Sequence, residues 1–377
     1  MDFSLSEEQE MLADSVARFI DADYDFENRQ KSAGSETGYS KAMWTTFAEL
    51  GWTAVPFAEG DGGLDGGPVE QMLMMEQFGR GLVVEPYLAN IVLAGGVLKR
   101  LASAEQKSAW LAPIIEGELQ ATLAFAEPQS RYNTANLMTS ASKDGDSYVL
   151  SGRKSLVLNG DSAELIIVPA RTSGNQSDES GITLFAIPGD SDGLSRKGYA
   201  TVDGLRAAEI QLNNVQVEAS NVLGEEDNGY LTLQDVIDEA TLAVSAEAIG
   251  IMQTMQDKTV DYSKSRVQFG VPIGSFQALQ HRMVDTMMSC QQSRSLLYWC
   301  VMVNAAGVPA ASKAISALKY QVGTEGIKVA REAVQIHGGM GVAWELDIAH
   351  YFKRITAIDL MFGNADHHLD RFIALSG

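Results

Sequence analysis

The sequence predicts an α+β protein in three successive parts: a helical domain, a β-barrel or sandwich domain, and a four-helix bundle. Apolar residues recur at helical spacing in the first and last parts, whereas the middle part has short β-branched and aromatic runs between turn residues. The predicted domains cover residues 1–118, 119–224 and 225–377. A chain of 377 residues is long enough for two or three domains.

Local signals place several helices in the first domain. Ser6 and Gln9 form a candidate capping box ahead of a helical apolar pattern. The glycine-rich stretch 60–68 is incompatible with a helix and predicts a loop. A further short helix is predicted over 103–111. Pro113 is expected to end it, because proline lacks the N–H that an interior helical residue donates.

The middle domain is predicted to consist of short strands. Turn signals such as Asn159-Gly160 and Asn213-Asn214 separate the apolar runs. This spacing is typical of an antiparallel barrel or sandwich rather than of alternating strands and helices. The predicted strands cover residues 121–126, 148–150, 155–158, 165–168, 182–187 and 209–212.

Long apolar faces predict the helix bundle of the last domain. They extend over 233–252, 279–297 and 310–334, and the third helix is expected to end at Gly338-Gly339. Several long helices joined by short connections are typical of a bundle.

Charge and composition exclude several classes of function. Lys and Arg total 28 against 49 Asp and Glu, so the net charge is −21. This argues against general binding to nucleic acid or to an anionic membrane surface, since both need a positive field. The start of the chain has no basic segment followed by an apolar core, and no apolar run reaches membrane-spanning length. We therefore expect a cytoplasmic protein without a membrane span.

A metal site is not expected either. Cys290 and Cys300 are too few for a disulfide framework or a zinc site. Asp366, His367 and His368 are metal-ligand types, but adjacent positions on a helix point in different directions. These three are expected to be surface residues of the last helix.

Two motifs near helix ends are candidates for binding an anion. Gly338-Gly339-Met340-Gly341 would allow a phosphate to approach the backbone, or would simply cap the preceding helix. Arg266 with Phe269 and Gly270 would hold a pyrophosphate and stack an aromatic ring, or Arg266 would be a solvated arginine at a helix C-terminus. The residues alone leave both alternatives open.

Taken together, these motifs resemble the acyl-CoA dehydrogenase family over essentially the whole chain. The last domain carries the most specific matches, and the middle domain adds three short ones. The matching stretches are Phe3–Gln9, Glu127-Pro128, Gly152-x-Lys154, Asn159-Gly160, Arg266-x-x-Phe269-Gly270-x-Pro272-Ile273-x-x-Phe276-Gln277 and Ala333–Gly341.

The resemblance implies an FAD enzyme that oxidises acyl-CoA thioesters to α,β-enoyl-CoA, with a carboxylate removing the α-proton. It implies a tetramer in which each FAD is shared across a subunit interface, and an electron-transfer flavoprotein as acceptor. It also implies which residues of this chain reach the adenosine diphosphate end of a neighbour's FAD. They are Arg266, Phe269, Gln277, Gln335, Gly338 and Gly339.

The chain departs from the family where the catalytic base is expected. The resemblance places the base 27 residues after Gln335, at Phe362, or in some members 26 residues before Arg266, at Ala240. Neither side chain accepts a proton. Glu239 is adjacent to Ala240 but points about 100° away from it on an ideal helix. The catalytic residue therefore stays unassigned.

The expected flavin cradle is altered as well. The family's Thr-Glu-Pro-Gly-x-Gly-Ser is replaced by residues 126–132, Ala-Glu-Pro-Gln-Ser-Arg-Tyr. Gln129 and Arg131 put side chains where glycines would let the backbone approach the cofactor. A Trp-x-Thr stretch becomes Leu156-Val157-Leu158, and Leu158 cannot hydrogen-bond the flavin.

These departures predict a heteromeric acyl-CoA dehydrogenase, such as an α2β2 tetramer, in which this chain lacks the base and completes a partner's FAD site. Such members act on bulky substrates such as steroid side-chain CoA esters, and fatty acyl groups are equally compatible with the sequence. One alternative is a homo-oligomeric enzyme with a relocated base at Glu247, Asp238 or Asp366. The other is an FAD-free scaffold subunit.

Overall fold

The chain has the predicted order of helices, strands and helices, and the predicted fold class is confirmed. The computed structural model describes residues 4–308 and 310–377. Residues 1–3, including Phe3 of the opening motif, and Pro309 lie outside the described residues. Within the described ranges, no helix combines the length and the hydropathy that crossing a bilayer requires.

Helices form both ends of the chain. Two π-helical stretches, Leu88–Ala94 and Lys107–Leu111, lead directly into α5 and α7. The α-helices are α1 (Glu7–Ala22), α2 (Phe26–Ala33), α3 (Lys41–Glu49), α4 (Pro68–Gly81), α5 (Gly95–Leu101), α6 (Ala104–Gln106), α7 (Ala112–Ile115), α8 (Tyr230–Ser265), α9 (Gln277–Ala305), α10 (Ala311–His337), α11 (Asp347–Leu360) and α12 (Ala365–Ala374).

Strands fill the middle of the chain, and most of their pairs are antiparallel. The first eight form one sheet in the order β6-β7-β3-β2-β4-β5-β8, with β1 parallel to β4. The last two form a separate hairpin. The strands are β1 (Ala121–Leu123), β2 (Ser140–Asp144), β3 (Ser147–Leu158), β4 (Leu165–Arg171), β5 (Ile182–Pro188), β6 (Leu194–Ala200), β7 (Arg206–Glu218), β8 (Val222–Leu223), β9 (Val267–Gln268) and β10 (Val271–Pro272).

Contacts divide the chain into two compact units. The first comprises residues 1–30, 67–83 and 241–377, and the second comprises residues 31–66 and 84–240. Helix α8 contributes residues to both. The three domain boundaries expected from the sequence stay a prediction.

Helix α1 begins as its sequence predicts. The Ser6 hydroxyl accepts a hydrogen bond from the Gln9 backbone at 3.2 Å, and the Gln9 side chain accepts one from the Ser6 backbone at 3.0 Å. This reciprocal capping box satisfies two N–H groups that the helix itself cannot pair. The buried residues of α1, which are Val16, Phe19 and Ile20, lie three and four positions apart and therefore share one face of the helix.

The prediction that Pro113 ends a helix was wrong. The helical path that Ser103 caps continues through the π-helical stretch and α7, to Ile115. Pro113 lies in the first turn of α7, where a residue's N–H need not have an intrahelical partner. A change of helix type therefore accommodates the proline without a break.

A buried ion pair anchors the segment that follows β1. Nζ of Lys154 donates to Oε1 of Glu127 and to the carbonyl of Pro169, both at 2.7 Å. Glu127 also accepts from the backbone N–H groups of Met138 at 2.7 Å and Thr139 at 3.1 Å. Strands β3 and β4 are thus tied to both ends of the segment 127–139.

Burial and the interactions within this pair shift the pKa values of the two side chains in opposite directions. Burial alone would raise the pKa of Glu127, but Lys154 and the hydrogen bonds lower it to about 2. Burial also lowers the pKa of Lys154, against the attraction of Glu127. Because both side chains are almost completely inaccessible, neither charge has water as an alternative partner.

Two glycines let helices α4 and α8 approach closely within the first unit. A Cβ atom at Gly79 would clash with the carbonyl of Glu247, and one at Gly250 would clash with the carbonyl of Glu76. Both glycines have helical backbone angles, so the contact, not the backbone conformation, requires the missing side chain.

Substitution Gly250→Ala is expected to lower the midpoint of thermal unfolding. The added methyl group meets a helix backbone that cannot rotate away, and overpacking of this kind costs about 1–3 kcal/mol or more. The matched control is Gly60→Ala, where a Cβ would meet open space and the expected change is within about 0.5 kcal/mol. Equal midpoints for the two variants would contradict the packing argument.

Substitution Lys154→Met is expected to destabilise the protein by about 3–5 kcal/mol at pH 7, because it leaves Glu127 buried and unpaired. The native carboxylate has a lowered pKa, so its contribution to stability is full above its ordinary pKa and declines as pH falls toward about 2. Between pH 6 and pH 4, the free energy of unfolding measured in urea should therefore fall less for the variant than for the native chain. A double variant that adds Glu127→Gln should recover part of the loss, and no recovery would count against the pair.

Candidate functional site

Three helix ends meet in the first unit where the sequence predicts the diphosphate-binding residues. The Tyr262 ring, near the end of α8, stacks on the His337 ring with 4.4 Å between centroids. The Tyr262 hydroxyl also donates to the His337 carbonyl at 3.4 Å. Ile273, Met283 and Ile336 pack together beneath them. The end of α8, the start of α9 and the end of α10 are therefore held against each other.

The hairpin β9–β10 projects from this junction. Its tip residue Phe269 has a positive φ of 54° and is 93% exposed. The ring is in edge contact with Phe276, with centroids 6.2 Å apart. The hairpin closes through the N–H of Ile273, which donates to the carbonyl of Arg266 at 2.8 Å. An aromatic ring so positioned has little to contact within its own chain.

The predicted polar residues at this junction are also solvent-facing. Arg266, Gln277 and Gln335 are exposed, and none of the three side chains makes a hydrogen bond or ion pair with a described residue. The Arg266 backbone is nevertheless fixed, because its N–H donates to Tyr262 at 2.8 Å. The structure thus positions these side chains by their backbones and leaves their polar atoms available.

The two glycines that follow α10 lie in different backbone conformations, so the absence of a side chain has a different explanation at each. Gly338 has φ 63° and ψ −139°, and its N–H caps the helix by donating to Gln335 and Val334. Only glycine adopts this conformation readily. Gly339 has no positive φ, and a Cβ there would meet open space. The capping alternative therefore explains Gly338 alone, and the bare backbone at Gly339 fits close approach by an outside group.

The segment 126–132 of the second unit lacks the open backbone of a flavin cradle. Arg131 has a positive φ of 46°, the conformation that favours glycine, yet carries an exposed side chain. The Gln129 amide folds back to donate to Oε2 of Glu127 at 2.7 Å and to the Asn136 carbonyl at 3.2 Å. Leu156 also has a positive φ, of 50°. Side chains therefore occupy positions that the resemblance assigns to bare backbone.

Neither expected position of the base carries an acid. Phe362 has φ 57°, and its carbonyl lies 3.1 Å from Nε2 of His368. The next carbonyl, of Gly363, accepts from Nζ of the buried Lys319 at 2.6 Å. Ala240 is completely buried in α8. The loop at Phe362 is thus held by backbone bonds that do not involve its side chain.

Two carboxylates that lie near Ala240 in the sequence already form ion pairs with basic side chains. Glu247 receives both Nε and Nη2 of Arg354, at 2.6 and 2.7 Å, in a buried bidentate pair. Glu239 accepts from Arg100 at 2.6 Å and from Lys99 at 3.4 Å. Burial would raise the pKa of Glu239, but these cations lower it. Glu239 is therefore a poor proton acceptor, and both carboxylate oxygens of Glu247 already accept hydrogen bonds from Arg354.

The other two carboxylates considered for a relocated base differ in exposure. Asp238 is buried and makes contacts of its own. Asp366 is exposed in the first turn of α12, but the expectation that His368 also lies at the surface was wrong, because its side chain is buried. Over residues 4–308 and 310–377, no group of three or more His, Cys, Asp or Glu side chains is arranged to hold a metal ion. Burial raises the pKa of the Cys290 thiol to about 12, which makes it unreactive.

The sequence analysis did not identify the residues that hold the loop at Phe362 and the junction of α8 and α10. Lys319 is completely buried on α10 and donates to the carbonyls of Asp359 and Gly363. A lysine inside an apolar helical face was a signal that could have found it, since buried lysines need partners. Tyr262 and His337 gave no such signal, because their contact joins residues 75 positions apart.

Models of one protein family match the three parts of the chain in order. The acyl-CoA dehydrogenase N-terminal domain matches residues 6–118, the middle domain matches residues 122–215, and the C-terminal domain matches residues 227–374.

Whole-chain relatives agree with these matches. A probable acyl-CoA dehydrogenase, YngJ of Bacillus subtilis, is 28% identical over 371 residues, which are 97% of each chain. Among solved structures, the ChsE4-ChsE5 complex of Mycobacterium tuberculosis is 25% identical with a TM-score of 0.90, covering 99% of this chain and 98% of that one. Butyryl-CoA dehydrogenase of Megasphaera elsdenii is 26% identical with a TM-score of 0.89 and covers 99% of both chains. The chain belongs to the acyl-CoA dehydrogenase family.

Proposed function

We propose that this chain is the subunit without a base in a heteromeric, FAD-dependent acyl-CoA dehydrogenase, and that it completes the FAD site of a homologous partner. One contrast carries the proposal. The residues expected to serve a neighbour's cofactor are exposed, and the side chains of Arg266, Gln277 and Gln335 have no polar partner among the described residues, whereas both base positions, Phe362 and Ala240, lack an acid. A complex of two chains among the similar solved structures supports this assignment.

The residues present fit one end of FAD and not the other. Arg266, Phe269 and Gly339 offer a free guanidinium, an uncovered ring and an open backbone, which suit a pyrophosphate and an adenine ring. In contrast, Leu158 and Arg131 offer neither the hydroxyl nor the bare backbone that the flavin ring needs. We therefore assign this chain's contribution to the adenosine diphosphate end of a shared FAD.

The chemistry follows from that division. FAD supplies the hydride acceptor when it is bound, and the reaction is the desaturation of an acyl-CoA thioester. In our proposal the guanidinium of Arg266 neutralises the pyrophosphate charge, and Gly338 and Gly339 allow close contact with it. The partner supplies the flavin cradle and the carboxylate that takes the α-proton. An electron-transfer flavoprotein is the proposed electron acceptor.

An apolar face on helix α9 supports association with another subunit. Val284, Met287 and Met288 lie three and four residues apart, so they share one side of the helix, and all are exposed. Exposed apolar side chains that lie side by side on one helix face are compatible with a protein–protein interface. We propose a tetramer, built with a homologous partner, that buries such faces.

Flavin content is expected to depend on the partner. The chain expressed alone should purify with little FAD, and co-expression with its homologous partner should raise the content to one FAD per heterodimer, measured by absorbance after release. One FAD per chain without a partner would overturn the proposal. That result would favour a homo-oligomer with a relocated base, for which Asp366 is the exposed candidate.

Substitution Arg266→Ala in the complex should weaken FAD retention by about 10- to 100-fold, the usual effect of losing a charge-assisted hydrogen bond. Lys264→Ala is the matched control, because Lys264 is an exposed cation two residues before Arg266, in the last turn of α8, and its partner is Asp261 at 3.0 Å. FAD dissociation on dilution is the measurement. Equal retention in both variants would show that Arg266 does not contact the cofactor.

A further inference from the structure

We propose that Tyr262, through its contacts with His337, is a positioning residue for the diphosphate site and holds the two halves of that site in a fixed relation. This inference rests on the proposed function, in which Arg266 and the glycines after α10 meet the adenosine diphosphate end of an FAD. Arg266 directly follows α8, and Gly338 directly follows α10. Because the two groups come from different helices, the distance between them depends on contacts that join the two helix ends.

The backbone of Tyr262 fixes the position of the arginine. Its carbonyl accepts a hydrogen bond from the N–H of Arg266 at 2.8 Å, and the carbonyl of Arg266 accepts one from the N–H of Ile273 at 2.8 Å. The Arg266 side chain is exposed and has no polar partner among the described residues. The guanidinium is therefore located by its backbone, and the last turn of α8 determines where that backbone lies.

The hydroxyl of Tyr262 reaches the peptide group that starts the glycine turn. It donates to the carbonyl of His337 at 3.4 Å. That carbonyl belongs to the same peptide group as the N–H of Gly338, which donates back to Gln335 and Val334. Because a peptide group is planar, a bond at its oxygen also restrains the direction of its N–H. Tyr262 thus helps to orient the turn at Gly338, where φ is 63°.

The ring of Tyr262 adds a second contact with His337. The two rings are stacked, with 4.4 Å between centroids and 23° between planes. The His337 ring is itself held in place, since its Nδ1 lies 2.8 Å from the carbonyl of Ala333, one turn earlier in α10. Tyr262 also packs against the apolar cluster beneath the junction. The stack therefore restrains the end of α8 relative to the end of α10.

Burial separates this pair from the groups that would meet the cofactor. His337 is 6% exposed and Tyr262 is half-buried, whereas Arg266 and Gly339 are open to solvent. The pair acts through the groups that it positions and not by touching FAD. Binding sites need their groups held to within about 0.5 Å of the productive arrangement. A loosened junction should therefore cost affinity although every contacting group remains.

Substitution of Tyr262 in the co-expressed complex tests this role. Binding of FAD to the complex, after removal of its flavin, is measured as quenching of flavin fluorescence. Tyr262→Leu removes the ring and the hydroxyl and should raise the Kd for FAD by about 10-fold, whereas Tyr262→Phe keeps the stack and should raise it by only about 3-fold.

The matched control is Tyr298→Leu, which should leave the Kd for FAD unchanged. Tyr298 is also a half-buried tyrosine of the first unit, but it lines a pocket with Val69 and Met72 of α4. It lies about 30 Å along α9 from the start of that helix. The control therefore removes a comparable ring at a distance from the junction.

A double variant distinguishes positioning from a general loss of stability. If Tyr262 acts through Arg266, the effects of Tyr262→Leu and Arg266→Ala on the Kd should combine to less than their product, because residues of one network are not independent. Thermal unfolding shows whether each variant is folded, and Tyr262→Phe keeps the test decisive if Tyr262→Leu is not.

Three results would refute the positioning role while Arg266→Ala still weakens binding. They are unchanged binding by Tyr262→Leu, equal weakening by Tyr298→Leu, and effects that multiply in the double variant. Unchanged binding by Arg266→Ala would instead contradict the proposed function itself.

Discussion

The buried pair of Glu127 and Lys154 is the interaction on which the segment 127–139 of the second unit depends. It joins β3, β4 and the segment 127–139 through charges that have no access to water. A buried pair of this kind adds little net stability compared with an apolar replacement, but it penalises every arrangement that separates the charges. The turns around Arg131 can therefore keep a glycine-like backbone while their side chains change.

The proposed division of function in this chain follows the same separation of backbone from side chain. At Phe362 and at residues 126–132, the backbone is held by hydrogen bonds, but the acid and the glycines that the resemblance implies there are absent. At Arg266 and Gly339, the backbone is positioned and the group remains available. Such a pattern is expected of a chain selected for assembly around another chain's chemistry, because one half of its site must still match a partner.

Local sequence signals were sufficient for much of the fold. The capping box at Ser6 and the strand runs of the middle part depend on neighbours in the chain, so sequence patterns identify them. The helix end predicted at Pro113 was wrong because a π-helical stretch precedes α7, so that Pro113 lies in the first turn of that helix. No residue pattern in the sequence predicts a π-helical stretch. The stacking of Tyr262 on His337 depends on tertiary packing between residues far apart in the chain, so it could not be predicted from one sequence.

The loop at Phe362 has an evolutionary consequence. Lys319 binds the Gly363 carbonyl, and His368 lies in hydrogen-bonding distance of the Phe362 carbonyl, so replacing the side chain at 362 leaves these bonds intact. These hydrogen bonds therefore do not require an acid at position 362. Once a duplicated gene shares its reaction with a second copy, selection for an acid at this position is lifted. The codons for Phe and Glu differ at all three bases, so a single base change at position 362 would not restore a glutamate.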